Sequence, residues 1–279
     1  MFETPPDIEE VKQLTEKHKK LLYPSRYKFL QAINGIRPGC MHGLLAPTGM
    51  GKSTLIRSVI SDTAETTRVG IVLSEEKFTE YAGGFVSQGE AINWDNVKMI
   101  RESTVIEQFP TKEQQINALV SMALEADLKV LFWDNITTGT ILGDSVKPDL
   151  MAKLIELLKH ELFIHDIALV FIAHTGKGVK TEQGHLFQGE DVRGSNQYYM
   201  KSDYFFNLQS KTKNDEKITF INITKSRFHQ PKHKYFVLEF VVNKYTRDVG
   251  VPHSKIQEIF EKETKNEKRI SIKPPPGRY

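Results

Sequence analysis

What this chain has least of is cysteine: one, Cys40, in 279 residues. A lone cysteine closes no internal disulfide, so nothing here calls for an oxidising compartment. Cys40 stands in Pro38-Gly39-Cys40-Met41, just ahead of an apolar run, and reads as a small buried thiol rather than a nucleophile. There is no run of eighteen apolar residues, which excludes a hydrophobic transmembrane helix and a membrane partner of that kind. The start, Met1-Phe2-Glu3-Thr4-Pro5-Pro6, is acidic and lacks the basic-then-apolar pattern of a secretory signal, so the expected location is cytoplasmic. No internal repeat is visible. Nor does one sign of charge dominate: the net value is +3. Basic residues do gather locally, at 177–180, 211–217, 225–234 and 265–278. Such patches suit phosphate-bearing partners or simply form solvated faces.

The length allows one large α/β domain with a full core. Residues 9–20 read as a polar helix with few apolar positions, one that would dock on something, such as a neighbouring subunit. Pro24 ends that region. An alternation follows: an apolar strand at 41–46, a helix at 52–61, a strand at 69–74, a helix at 113–126, a strand at 130–133, a helix at 149–160 and a strand at 167–173. Strands alternating with helices predict a mostly parallel, buried, twisted sheet flanked by helices. Residues 175–193 are rich in Gly, Lys and Gln and lack periodicity, as functional loops do. Strands are then expected at 204–208, 218–224 and 235–242, the last two as a C-terminal β-hairpin. The charged end, 256–279, reads as a flexible tail.

Ala46-Pro47-Thr48-Gly49-Met50-Gly51-Lys52-Ser53, with Thr54 next, is a Walker A phosphate loop with Ala in place of its first Gly. Gly49 and Gly51 permit backbone angles that let N–H groups wrap an anion at a helix N-terminus. Lys52 would reach the β- and γ-phosphates of ATP, and the Ser53 hydroxyl would sit on Mg²⁺. The loop stands between a predicted strand and a predicted helix, as that reading requires. Val130-Leu131-Phe132-Trp133-Asp134 is an apolar strand ending in a carboxylate, the form of a Walker B Mg²⁺ ligand. After the strand at 69–74 come Glu75 and Glu76, either of which could orient or deprotonate an attacking water. Spacing does not separate them. His174 ends the apolar strand 167–173 and reads either as a satisfied core histidine or, at the sheet edge beside the Walker B strand, as a γ-phosphate sensor. Lys177 and Lys180, in the loop that follows, could neutralise the phosphates of a single strand of DNA. These motifs make 25–255 an ATPase domain, preceded by a linker or docking helix in 1–24.

Several segments jointly resemble the DnaB-type replicative helicases, and especially the helicase half of phage primase–helicases. They are Ser74-Glu75-Glu76, Trp133-Asp134-Asn135-Ile136-Thr137, Ile172-Ala173-His174, Asp191-Val192-Arg193-Gly194-Ser195 with Ser202-Asp203, and Lys225-Ser226-Arg227-Phe228. The likeness spans roughly 25–250. It implies a RecA-like P-loop NTPase fold, a hexameric ring of identical chains, ATP with Mg²⁺, and single-stranded DNA in the channel, in a bacterium or a phage-infected cell. It leaves room for a separate primase or polymerase as a further partner; the absence of a primase or collar segment from the 279 residues is a departure from the family pattern that bears on ring stability and primase coupling. By that resemblance Arg227 is an arginine finger for the next subunit's ATP, Phe228 packs near the adenine, and Arg193 and Gly194 belong to the DNA-facing stretch. The departures are Ala46 for the first Gly and Glu75 for the usual Leu. Two activities fit these residues: a ring-forming helicase or translocase, and a RecA-like ATPase that does not unwind, such as a recombination mediator or loader. A small-molecule kinase fits less well, since it would need neither a neighbour's arginine nor a long basic loop.

Overall fold

The structure is a computed structural model, and it describes residues 9, 23, 25–143, 145–176, 191–193, 196–213, 216–241 and 243–258. The helix expected at 9–20, apart from Glu9, therefore lies outside the described residues. So do Lys177, Lys180, Gly194 and the tail beyond 258. Among the described residues no helix is long and apolar enough to cross a membrane.

Among the described residues nine strands form one sheet in the order β3-β2-β4-β5-β1-β6-β7-β8-β9. The parallel part is β1 (Met41–Ala46), β2 (Val69–Leu73), β3 (Val97–Arg101), β4 (Val130–Asp134), β5 (Ala168–His174) and the start of β6 (Tyr204–Lys213). The sheet continues antiparallel through β7 (Glu216–Ser226), β8 (Tyr235–Val241) and β9 (Lys244–Val251). Helices are α1 (Lys28–Gln31), α2 (Lys52–Ala64), α3 (Phe78–Gln88), α4 (Glu102–Gln108), α5 (Lys112–Glu125), α6 (Pro148–Ile164) and α7 (Gln197–Lys201).

The central strands read as unbroken apolar runs because both faces are covered. Successive side chains feed opposite cores. Ile71 and Leu73 of β2, Phe132 of β4 and Ile172 of β5 pack with Leu55, Val59 and Ile60 of α2. Val72, Trp133 and Phe171, one step along the same strands, pack with Leu119 of α5 and Leu154 and Leu158 of α6. The two-residue period of a strand thus builds two cores from one sequence.

The antiparallel part is larger than the expected hairpin. β9 was not legible because Lys244, Thr246, Arg247 and Asp248 interrupt its apolar residues; Asn243, at φ 65°, makes the tight turn into it. β3 was equally hidden, since only Val97 of that edge strand is buried. β9 ties the extension to the main body. Asp248 accepts from the Lys28 and Phe29 amides at 2.6 and 2.8 Å, capping α1, and Tyr27 donates its hydroxyl to the Tyr245 carbonyl at 2.6 Å.

Candidate functional site

The parallel strands end level at one edge of the sheet. Ala46 of β1 pairs with His174 of β5, and Leu73 of β2 pairs with Asp134 of β4. β5 lies between β1 and β4, so the phosphate loop after β1 and the carboxylate ending β4 face each other across His174. The space between is a cleft of about 190 Å³ lined by Thr48, Gly49, Lys52, Ser53, Glu75, Glu76, Asp134, Asn135 and His174, among others. Crevices at the carboxyl ends of parallel strands are where ligands bind in open α/β sheets. Roomier hollows among the described residues lie elsewhere. An apolar one of about 410 Å³ lies beside β2, β3 and α5, and a charged one of about 500 Å³ is lined by Arg26, Asp62, Glu90 and Lys244. Neither contains the phosphate loop.

Gly49 and Gly51 sit at φ 80° and 79°, left-handed angles that disfavour any side chain. Gly51 is the N-cap of α2, and among the described residues no side chain caps that helix, so its first amides are open to an anion. The loop is braced from β9, where Tyr245 donates its hydroxyl to the Met50 carbonyl at 3.1 Å. A Cβ on Gly51 would meet that hydroxyl at 2.8 Å. Lys52 is buried and folds back on the loop, donating to the Ala46 and Pro47 carbonyls at 3.2 and 2.8 Å. Burial pulls its pKa down to about 8, against the opposing pull of Asp134 and Glu75.

The Asp134 carboxyl is pushed up to about 6 by burial, with Glu76 adding to the shift and the Ser53 hydroxyl beside it opposing. Its Oδ2 is buried without a hydrogen-bond partner among the described residues. A native buried carboxylate oxygen left without a partner marks a place for a cation or water. Asp134 and Ser53 supply hard oxygen donors. Among the described residues no group of three His, Cys, Asp or Glu side chains could form a protein-only metal cage. That donor set suits Mg²⁺, which is typically held by one or two side chains plus phosphates and water.

The second-strand glutamates are positioned from β4 as well. The Ser74 amide donates to the Asp134 carbonyl at 3.1 Å, and Trp133 Nε1 donates to Ser74 Oγ at 3.2 Å. Arg57 of α2 donates to Glu76 at 3.1 Å, and its guanidinium stacks 4.6 Å from the Tyr81 ring. Glu75 is exposed, and its charge acts on Lys52 and His174.

His174 has both ring nitrogens engaged. Nδ1 lies 3.2 Å from Lys52 Nζ and 3.4 Å from Thr48 Oγ1, and Nε2 lies 2.9 Å from Asn135 Nδ2. The Asp134–Asn135 peptide is cis. Beyond His174, Thr175 bridges to Val192, and the Arg193 amide donates to the His174 carbonyl at 2.7 Å. Arg193 is thus joined through its backbone to His174, and in sequence it follows the segment carrying Lys177 and Lys180.

Arg227 and Phe228 are elsewhere. β6 starts beside the start of β1 (His42 pairs with Tyr204), and Tyr204 pairs with Ser226 at the end of β7. Arg227 thus lies at the sheet edge opposite the phosphate loop, a six-residue strand away, roughly 20 Å at ~3.3 Å per residue. It donates to Asp203 at 3.2 Å, and its side chain is 60% exposed. Phe228 lies under the Arg37 guanidinium, 4.5 Å from its centre. The phosphate loop, the second-strand glutamates, Asp134 and His174 line one cleft. Arg57, Tyr245 and a role for Asn135 emerge only from the fold. Of these, only Asn135 carried a sequence signal, through its place directly after Asp134.

No family model matches this chain. A manganese transport system ATP-binding protein of Halalkalibacterium halodurans is 31% identical over 87 residues, 30% of this chain and 35% of that protein. The chain thus spans about a third of that relative's length. A KaiC-like protein of the hyperthermophilic archaeon Pyrococcus horikoshii superposes with a TM-score of 0.60 at 16% identity, over 78% of this chain and 92% of that one. That likeness is one of fold: a RecA-like, KaiC-type α/β sheet with antiparallel strands at its C-terminal side.

Proposed function

We propose that this chain is a Mg²⁺-dependent ATP hydrolase whose copies assemble head to tail into a ring, and that the ring translocates on single-stranded DNA. The observation that carries the hydrolase reading is the orphaned Asp134 oxygen beside Ser53, across the loop from Lys52. The open amides of α2 and the Lys52 ammonium would bind the phosphate chain, and Ser53 with Asp134 would hold the metal. Bound there, Mg²⁺ would neutralise charge on the phosphoryl oxygens. A second-strand glutamate would take the proton from the attacking water. His174 would contact the terminal phosphoryl group and, through the Arg193 amide on its carbonyl, adjoin the segment that carries Lys177 and Lys180.

The ring reading is supported by Arg227. Its exposed guanidinium lies too far from its own cleft to act there, whereas a heterologous contact would carry it to a neighbour's. Helicase activity, a hexameric ring and coupling to a primase or polymerase are the finer parts of the proposal and rest on the motif resemblance.

The test combines hydrolysis assays with and without single-stranded DNA, strand displacement on a forked duplex, and electron microscopy with a non-hydrolysable ATP analogue and single-stranded DNA. The expected result is DNA-stimulated turnover, strand separation and rings. Turnover without strand separation would leave the non-unwinding ATPase; absence of turnover in every condition would overturn the proposal. Replacing Lys177 and Lys180 by Ala should lower the log–log salt slope of single-strand binding by about 0.7 for each phosphate that is no longer neutralised.

A further inference from the structure

Asn135 is buried against the His174 ring, and its amide can stand only one way round. Its Oδ1 takes the Thr138 backbone N–H at 2.9 Å, and a backbone N–H only donates. The Thr138 hydroxyl, at 2.8 Å, and the Thr137 hydroxyl, at 3.1 Å, point to the same oxygen. The Thr137 oxygen in turn accepts the His174 amide at 3.0 Å, which directs its own hydrogen toward Asn135. Turning the amide over would set an NH₂ group against a backbone N–H. The Asn135 NH₂ must therefore donate to His174 Nε2, 2.9 Å away.

A neutral imidazole has one acceptor nitrogen and one N–H. With Nε2 accepting, the proton sits on Nδ1, which faces the cleft. Lys52 Nζ, 3.2 Å from Nδ1, is also a donor and finds its acceptors in the Ala46 and Pro47 carbonyls. The Nδ1 proton then has only the long 3.4 Å contact to the Thr48 hydroxyl among the described residues, with the Lys52 ammonium as a second donor beside it, an arrangement that an anionic oxygen completes. The ring is held neutral, so the tautomer decides its polarity. Burial first, then the Lys52 charge, draw the His174 pKa down to about 4.

From this geometry we infer that Asn135 is a positioning residue that fixes His174 as the Nδ1–H tautomer, making it a hydrogen-bond donor to the terminal phosphoryl oxygen of a nucleotide. The inference rests on the reading of the cleft as a nucleoside triphosphate site. It assigns Asn135 a role distinct from bracing the loop after β4.

The proton can be read directly. In protein labelled with ¹⁵N-histidine, long-range ¹H–¹⁵N correlations report both ring nitrogens, and the His174 pair is the one missing from His174→Gln. The expected wild-type result is a proton on Nδ1. Asn135→Asp keeps an oxygen for Thr138 but replaces the NH₂ donor by an acceptor, so the proton should move to Nε2. A wild-type ring protonated on Nε2 overturns the inference. The second readout is the order of two variants. Asn135→Asp preserves the bonds to Thr138 yet turns a lone pair toward the phosphate, and so should hydrolyse ATP more slowly than Asn135→Ala, by on the order of tenfold. A residue that only braced its loop would give the reverse order, and that result also overturns the inference. In a His174→Gln background the difference between Asp and Ala should vanish, because a glutamine amide sets its own donor. The tautomer is read without nucleotide. A protein with Nδ1–H that hydrolyses nothing would thus refute the hydrolase reading, and an active protein with Nε2–H would refute this inference alone.

Discussion

Arg57 holds Glu76 in a 3.1 Å ion pair on the wall of the phosphate cleft, while its neighbour Glu75 makes no hydrogen bond or ion pair with any described residue. The two carboxylates looked equivalent in sequence, and this contact separates them. Glu76 is tied to α2; Glu75 is exposed and lies in the field of Lys52 and His174. Glu75→Gln should therefore bind ATP but lose on the order of 10²–10⁴ in turnover, the usual cost of removing a general base. Glu76→Gln should lose much less. Paired nucleotide-binding and single-turnover assays check this, and the reverse order would assign the base to Glu76.

Lys52 and Asp134 give a proton-linkage prediction with opposite signs at two pH values. Lys52 has its pKa lowered to about 8, so near pH 8 part of the population is uncharged. A bound triphosphate favours the charged form, so binding there should take up protons. Asp134 is raised to about 6; a bound Mg²⁺ favours its ionised form, so binding near pH 6 should release protons. Calorimetry of MgATP binding in buffers of different ionisation enthalpy measures both. Lys52→Ala should abolish the uptake, weaken binding and stop hydrolysis. Uptake that survives in Lys52→Ala would assign the proton to another group.

The legible parts of this protein were those whose chemistry leaves a pattern within one segment. The phosphate loop needs glycines at left-handed angles next to a lysine and a serine, and that requirement is written in Gly49 to Ser53. β4 and β5 are buried on both faces and so read as apolar runs. β9 is half exposed, and its apolar positions are diluted by Lys244, Arg247 and Asp248, so no run betrays it. Contacts made across the chain leave no local trace. The Tyr245 hydroxyl on the Met50 carbonyl joins residues 195 apart, and Arg57 meets Glu76 only because α2 and β2 are neighbours in the fold. The position of Arg227 is of the same kind. Its motif suggested a finger, but only the pairing of β1, β6 and β7 puts it at the edge away from its own phosphate loop.

His42 should make the fold sensitive to mild acid. Its ring is buried, stacked 4.9 Å from Tyr204, with Nε2 accepting from the Arg37 amide at 3.3 Å. Burial pushes its pKa down to about 4, with the Leu169 carbonyl and Asp203 opposing. The unfolded chain binds the proton near pH 6.5, so between about 6.5 and 4 the unfolded state holds more protons. The stability His42 contributes is thus present above 6.5 and lost as pH falls toward 4, by up to about 1.4 kcal/mol per pH unit. Urea unfolding of the wild type and His42→Gln at pH 5 and 7 checks this. The variant should be less stable at pH 7 but show a shallower acid slope. An unchanged slope would mean that other groups, His174 among them, carry it.

Arg227 ties the chemistry to the assembly. Within one chain its guanidinium is bonded to Asp203, beside the start of β1, and the phosphate loop lies at the far end of that strand. Arg227→Ala should fold, because Lys159 still holds Asp203 at 2.8 Å. If Arg227 serves a neighbour, the variant should bind ATP and assemble yet hydrolyse it slowly, since fingers in other NTPases contribute about 10³–10⁵. The decisive measurement mixes two inactive variants, Lys52→Ala and Arg227→Ala. In a head-to-tail assembly some interfaces pair an intact phosphate loop with an intact arginine, and part of the activity returns. If the residue works only within its own chain, no interface gains anything. Subunit exchange is verified with labelled mixtures on size exclusion. Activity that fails to return despite exchange would remove the neighbour's arginine from the mechanism, and with it the reason for a translocating ring.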